Sequence, residues 1–196
     1  MKHLFSRFWS KSDGAVAFET VIIFPILLWA WIGSFAYFDA YRVYNTSIKA
    51  TFTIADLLSR QTDPVYDSDI DRMALLLEAM VRDTSGIEMR ATEIRSVGDG
   101  TFVVEWSHGT GSLADYASAN VTNFVDQLPN MERNERVVLV ESFIEYDPAF
   151  NIGLNNVTFS NFTLTRPRYS SFIPHEDGSH PDLNNAGELG DGDGNA

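Results

Sequence analysis

The stretch Ala15–Phe38, AVAFETVIIFPILLWAWIGSFAYF, decides the architecture of the chain, and its only charge is Glu19. An α-helix rises about 1.5 Å per residue, and about 20 apolar residues cross a hydrocarbon core of about 30 Å. The run is therefore long enough to span a membrane. Lys2, Arg7 and Lys11 precede it, opposed only by Asp13, and Asp39 follows it. Basic residues on the N-terminal flank hold that end in the cytoplasm and send the remainder across. The expected organisation is a basic leader over 1–14, a transmembrane helix over 15–38, an external domain over 39–173 and an acidic disordered tail over 174–196.

Composition limits what the external part can be. The chain has 196 residues and a formal net charge of −13. Removing Lys2, Arg7, Lys11 and Asp13 leaves 11 basic and 26 acidic residues, a formal −15. Such a domain excludes nucleic acid as a partner, because it offers phosphates no cationic surface. Nor does it favour an anionic bilayer surface. Cysteine is absent, so disulfides, thiol catalysis and thiolate metal sites are excluded. The external domain is long enough to stand on a packed core instead.

Three positions in the apolar stretch carry their own chemistry. A carboxylate inside a spanning helix costs on the order of 2.5–3.5 kcal/mol at mid-bilayer, and such residues usually have partners. Glu19 lies near the cytoplasmic end, where snorkelling relieves part of that cost. A cut between Gly14 and Ala15 would instead create an α-amino group one helical turn before Glu19, able to neutralise it. Both roles for Glu19 stay open on the residues alone. Pro25 removes one backbone donor and crowds the preceding turn, so a kink or local opening is expected there.

Gly14 followed by Ala15-Val16-Ala17-Phe18-Glu19 and an apolar run resembles the class III signal cut by prepilin peptidase. Glu19 would then be the fifth mature residue, as in type IV pilins. The continuation Glu19-Thr20-Val21-Ile22-Ile23-Phe24-Pro25-Ile26-Leu27-Leu28 is similar to TadE/TadF-type pseudopilins of the tight-adherence (Flp) pilus system. In those a Glu is followed six positions on by Pro and a leucine-rich run. The resemblance covers about residues 8–38, and Thr20 departs from it, since the family often has a small apolar residue there. It implies a minor pseudopilin with a pilin-like domain in the bacterial inner membrane, its N-terminus cytoplasmic and its C-terminal domain periplasmic. It also implies prepilin peptidase, other pilins or pseudopilins, and inner-membrane pilus assembly proteins as partners. Glu19 becomes the assembly carboxylate and Pro25 a bend for helix packing. The alternative is a single-pass receptor or sensor with an extracytoplasmic ligand-binding domain. A third reading, a domain released by signal-peptide cleavage after Ala36, conflicts with the length of the apolar run.

Beyond the span, Trp29, Trp31, Tyr37, Tyr41 and Tyr44 sit where amphipathic rings favour a membrane boundary. Tyr37, Tyr41, Tyr44, Ile48, Phe52, Ala55 and Leu58 recur at helical steps, which predicts one helix from about Ala15 to Arg60, stopped before Pro64. It would be roughly 70 Å long. A second helix is expected over Ser68–Arg82, capped by Ser68 with Asp71, with an apolar stripe of Met73, Leu76, Leu77, Met80 and Val81. Ile87–Val97 and Thr101–Ser107 read as a hairpin around Gly98-Asp99-Gly100, with a bulge near Glu93. Trp106 is expected on the face of Phe102 and Val104. Leu113, Tyr116, Val121, Phe124 and Leu128 predict a weaker helix, and Arg136–Tyr146 and Val157–Arg168 two further strands. The predicted fold class is α+β, with an antiparallel sheet of about four strands.

No catalytic constellation is legible. His175-Glu176 with His180 is one residue too long for H-E-x-x-H, and glycine and proline around it preclude the helix that motif needs. Asp191-Gly192-Asp193-Gly194-Asn195 resembles the opening of a calcium loop, but the chain ends before the glutamate such a loop requires. Asn45, Asn120, Asn156 and Asn161 begin N-x-[ST] triplets that read as chance occurrences. The sequence thus predicts no enzyme, no cofactor and no metal site.

Overall fold

The computed structural model describes residues 12–81, 86–123, 125–150 and 153–178; the leader through residue 11 and the tail from residue 179, with His180 and the Asp191–Asn195 run, lie outside them. The described elements are helix α1 (Ser12–Ser59), β1 (Val65–Tyr66), α2 (Asp67–Val81), β2 (Gly86–Gly98), β3 (Thr101–Gly109), two 3₁₀ turns (Ser118–Asn123 and Val125–Gln127), β4 (Arg136–Tyr146), β5 (Val157–Thr165) and β6 (His175–Glu176). The fold is α+β with a four-stranded antiparallel sheet in the order β3-β2-β4-β5.

The chain divides into two compact units. One is α1 up to Arg42 together with Pro148–Asn156; the other is Val43–Asp147 with the chain from Val157 onward. In the first unit α1 runs through Pro25 without interruption. Ala36 and Ala40 are buried there, whereas every residue from Phe18 to Trp31 is exposed.

In the second unit the sheet is covered on both faces. The central strands β2 and β4 are buried almost continuously, which is the pattern of strands with no solvent side. One face gathers Ile94, Val137 and Leu139 with Phe102, Val104, Phe162 and Leu164, packed against Val121 and Met131 from the segment between β3 and β4. That segment is not the expected helix. Ala117 N–H donates to Asn120 Oδ1 (2.8 Å), Gly109 N–H to Asp115 Oδ1 (2.7 Å) and Val104 N–H to Ser118 Oγ (3.1 Å). Asn120 thus takes a backbone donor of the segment itself, while Asp115 and Ser118 bind donors of β3, contacts that hold the segment in 3₁₀ turns against the strand.

The opposite face carries Val138, Val140, Ser142 and Ile144 and meets the distal part of α1. Thr51 Oγ1 and Ser142 Oγ are 2.7 Å apart, and Asn161 Nδ2 donates to both Ser47 Oγ and Ser142 Oγ at 3.1 Å. Asn161 is consequently buried and committed. The buried stripe of α1 is Val43, Ser47, Ala50, Ile54 and Leu58, rotated from the one the aromatic residues suggested: Tyr41 is 65 % and Phe52 57 % exposed. Small residues let the helix axis approach the sheet, which rings at those positions would hold off. In α2 the stripe is Ile70, Met73, Ala74, Leu77 and Val81, and Leu76 faces out. The helix starts one residue earlier than expected, with Asp69, not Asp71, reaching back to the Tyr66 N–H at 3.1 Å.

The hairpin bulge is present, but its extra residue is on β3. Trp106 pairs with Glu93 and Val104 with Ile94, leaving Glu105 unpaired. This resets the alternation, so Trp106 does not share a face with Phe102 and Val104. It lies with Glu93 on the α1 side, where its indole N–H donates to Ile173 O at 3.0 Å. Residues 174–178, assigned by composition to the tail, are built into the fold. β6 pairs in parallel with β1, Val65 N–H donates to Pro174 O (2.9 Å), and Ser68 N–H to Gly178 O (3.1 Å).

Candidate functional site

The sequence-derived positions all fall on the first part of α1. Gly14 and Ala15 lie in its first turn, with Glu19 one turn on and exposed, and Pro25 in the helix interior. Residues four apart on a helix share a face, so Ala15 and Glu19 are neighbours along it. The surrounding side chains are large, apolar and uncovered: Phe18 is 68 %, Val21 70 % and Trp31 68 % exposed. From Phe18 to Ser59 the helix is long and apolar enough to cross a membrane, and only 11 % of its most apolar window is buried. A core helix of a water-soluble protein would be buried there. From Phe18 to Trp31 the helix is apolar and exposed on every side, the kind of surface that lipid or other helices cover.

A second assembly of chemistry-bearing residues was not legible in the sequence. Asp67 opens α2, His108 stands near the end of β3, and His175 lies in β6. Asp67 Oδ1 is 3.1 Å from His108 Nδ1 and 3.1 Å from His175 Nε2. His108 Nε2 makes a 3.2 Å hydrogen bond with Asp71 Oδ1. His175 Nδ1 is 3.8 Å from Asp177 Oδ1. The His175 ring stacks on Trp106 with centroids 4.8 Å apart and planes 11° from parallel. The fold collects these groups by the β1–β6 pairing, a contact between the two ends of this unit that no local spacing announces.

The cleft beside this cluster contains Glu93, a carboxylate only 1 % exposed. It accepts the Ile173 N–H at 2.9 Å and faces Arg136 at 3.8 Å. Burial pushes its carboxyl above the ordinary carboxylate range, partly offset by that backbone hydrogen bond and by Arg136. On the other sheet face, Arg90 pairs with Glu141 at 2.8 Å, lies 3.5 Å from the Tyr116 ring centroid and donates to Ala114 O at 2.9 Å. Desolvation raises the Tyr116 hydroxyl's pKa, helped by the Glu141 charge. This second cluster is satisfied within itself and serves to pin the β3–β4 segment onto the sheet. No protein family, curated protein or solved structure matches the chain.

Proposed function

We infer that the chain is a minor pseudopilin taking part in assembly of a tight-adherence pilus. In this reading α1 holds it in the bacterial inner membrane as a single-pass protein, with the N-terminus cytoplasmic and the α+β domain periplasmic. Prepilin peptidase cuts between Gly14 and Ala15, and the new amine pairs with Glu19 on its own helix or a neighbouring subunit. Either charge alone is costly in a low-dielectric setting, so the pair selects correctly registered neighbours. The role is structural, with other pilins or pseudopilins and inner-membrane assembly proteins as partners. The observation that carries the reading is the conjunction of Gly14, Glu19 and Pro25, at their family spacings, with an apolar helix surface uncovered from Phe18 to Trp31.

The test is the mature N-terminus of the full chain produced beside an active prepilin peptidase. Ala15 is expected at the terminus, and Gly14→Leu should leave the leader attached, because a branched side chain obstructs the backbone's approach to the peptidase. An intact Met1 in both proteins would remove this reading and leave a single-pass receptor or sensor. A periplasm-active reporter placed after Ala196, beyond the strand β6 that the fold requires, should be active.

A further inference from the structure

The cluster around Asp67 holds three potential ligand atoms in unusual relation. Asp67 Oδ1, a ring nitrogen of His175 and a carboxylate oxygen of Asp177 lie within 4.8 Å of one another. The His175 side chain is only 7 % exposed, and its Nε2 has no hydrogen-bond partner although Asp67 Oδ1 is 3.1 Å away. A buried imidazole nitrogen left unsatisfied is costly. The nearby carboxylate oxygen does not satisfy it, so the ring nitrogen is left without the partner its burial calls for. Two ligands each about 2.0–2.1 Å from a tetrahedral zinc ion stand roughly 3.3 Å apart, close to this spacing.

His108 approaches Asp67 from the other side, its Nδ1 3.1 Å from the same Asp67 oxygen and its Nε2 3.2 Å from Asp71 Oδ1, so its ring bridges two carboxylates and holds Asp67 in place.

We propose that Asp67, His175 and Asp177 form a three-ligand binding site, completed by water, for a divalent transition-metal ion of the zinc class. Imidazole nitrogens beside carboxylates suit zinc and its neighbours, whereas calcium and magnesium require shells made of oxygen. The ion's role is structural. It ties β6 and the residue after it to the start of α2, in a domain that has no cysteine with which to make a covalent tie.

The experiment uses the full chain in detergent micelles, stripped with chelator and titrated calorimetrically with Zn²⁺. One ion should bind per chain and raise the melting temperature, and both His175→Ala and Asp177→Asn should weaken binding about tenfold or more. The Asp177 side chain is 99 % exposed, so its replacement tests the site without endangering the fold. His180→Ala should leave the affinity unchanged. On the unaltered protein, Co²⁺ should give the visible absorption of a four-coordinate ion and quench Trp106 through the stacked ring. Absence of Zn²⁺ binding, an affinity indifferent to Asp177→Asn, or displacement of Zn²⁺ by equimolar Ca²⁺ would each overturn the proposal.

Discussion

Glu93 accepts the backbone N–H of Ile173 at 2.9 Å, so a fully enclosed carboxylate in β2 fixes the segment that leads into β6. The bond gives Glu93 a structural task, and burial makes the charge expensive to keep.

The first prediction follows from the raised carboxyl. Its folded-state pKa exceeds the ordinary value of 4.5, so the native state holds the proton more tightly than the unfolded chain. The unfolded state thus binds fewer protons, and Glu93's contribution to stability falls as pH rises through the window above 4.5. Glu93→Gln keeps an acceptor for Ile173 and removes the charge. The melting temperature of wild type relative to Glu93→Gln should decline as pH is raised from acid through that window. A difference that is flat with pH, or that grows in favour of wild type, contradicts the assignment.

Arg90 and Glu141 form a buried pair, with side chains 8 % and 11 % exposed. Removing one partner strands the other charge, so Arg90→Met should cost about 3–5 kcal/mol. The double replacement Arg90→Met with Glu141→Leu should recover most of that loss, because no uncompensated charge remains. Denaturant unfolding of both single variants and the double closes the cycle. Additive losses would mean that the pair is not coupled.

Trp106 links two segments through its hydrogen bond to Ile173 O and its stack on His175. Trp106→Ala should destabilise the domain by about 3 kcal/mol, the low end for a large aromatic because the ring is half-buried. It should also loosen residues 173–178, seen as faster amide exchange at Val65 and Ser68, whose N–H groups donate to Pro174 and Gly178. Unchanged exchange there would show that the strap does not depend on the indole.

On the proposed pseudopilin role, Glu19→Gln separates insertion from assembly. The neutral amide keeps the side chain's shape, so insertion and cleavage after Gly14 should persist. The amine of Ala15 would lose its partner, so surface pili should be lost in a strain that carries only this copy. Glu19→Asp should be intermediate, retaining charge but losing reach. Normal piliation with Glu19→Gln would reduce the residue to a tolerated interfacial carboxylate.

The elements with a strong period were legible in the sequence. Expected bounds for α1, α2 and the four long strands fall within a few residues of those observed, and Arg136–Tyr146 coincides. Orientation was harder to read. Hydrophobicity favoured Tyr41, Tyr44 and Phe52 as the inner face of α1, but close packing favoured the smaller Val43, Ser47 and Ala50. The bulge near Glu93 was recognised, yet which strand held the extra residue decided the face of Trp106, and alternation alone does not say. β1 and β6 are two-residue strands, too short for any period to show. The Asp67–His108–His175 cluster depends on that short pairing and so stayed hidden with it.

The parallel pairing of Val65 with His175 also sets a schedule. A chain leaves the ribosome N-terminus first, so β1 and the opening turn of α2 emerge long before the strand that completes them. Pro174 O and Gly178 O, which accept from the Val65 and Ser68 N–H groups, arrive only with that later segment. A product halted before residue 174 therefore lacks the strand that closes this seam and leaves it open to proteases and holding chaperones.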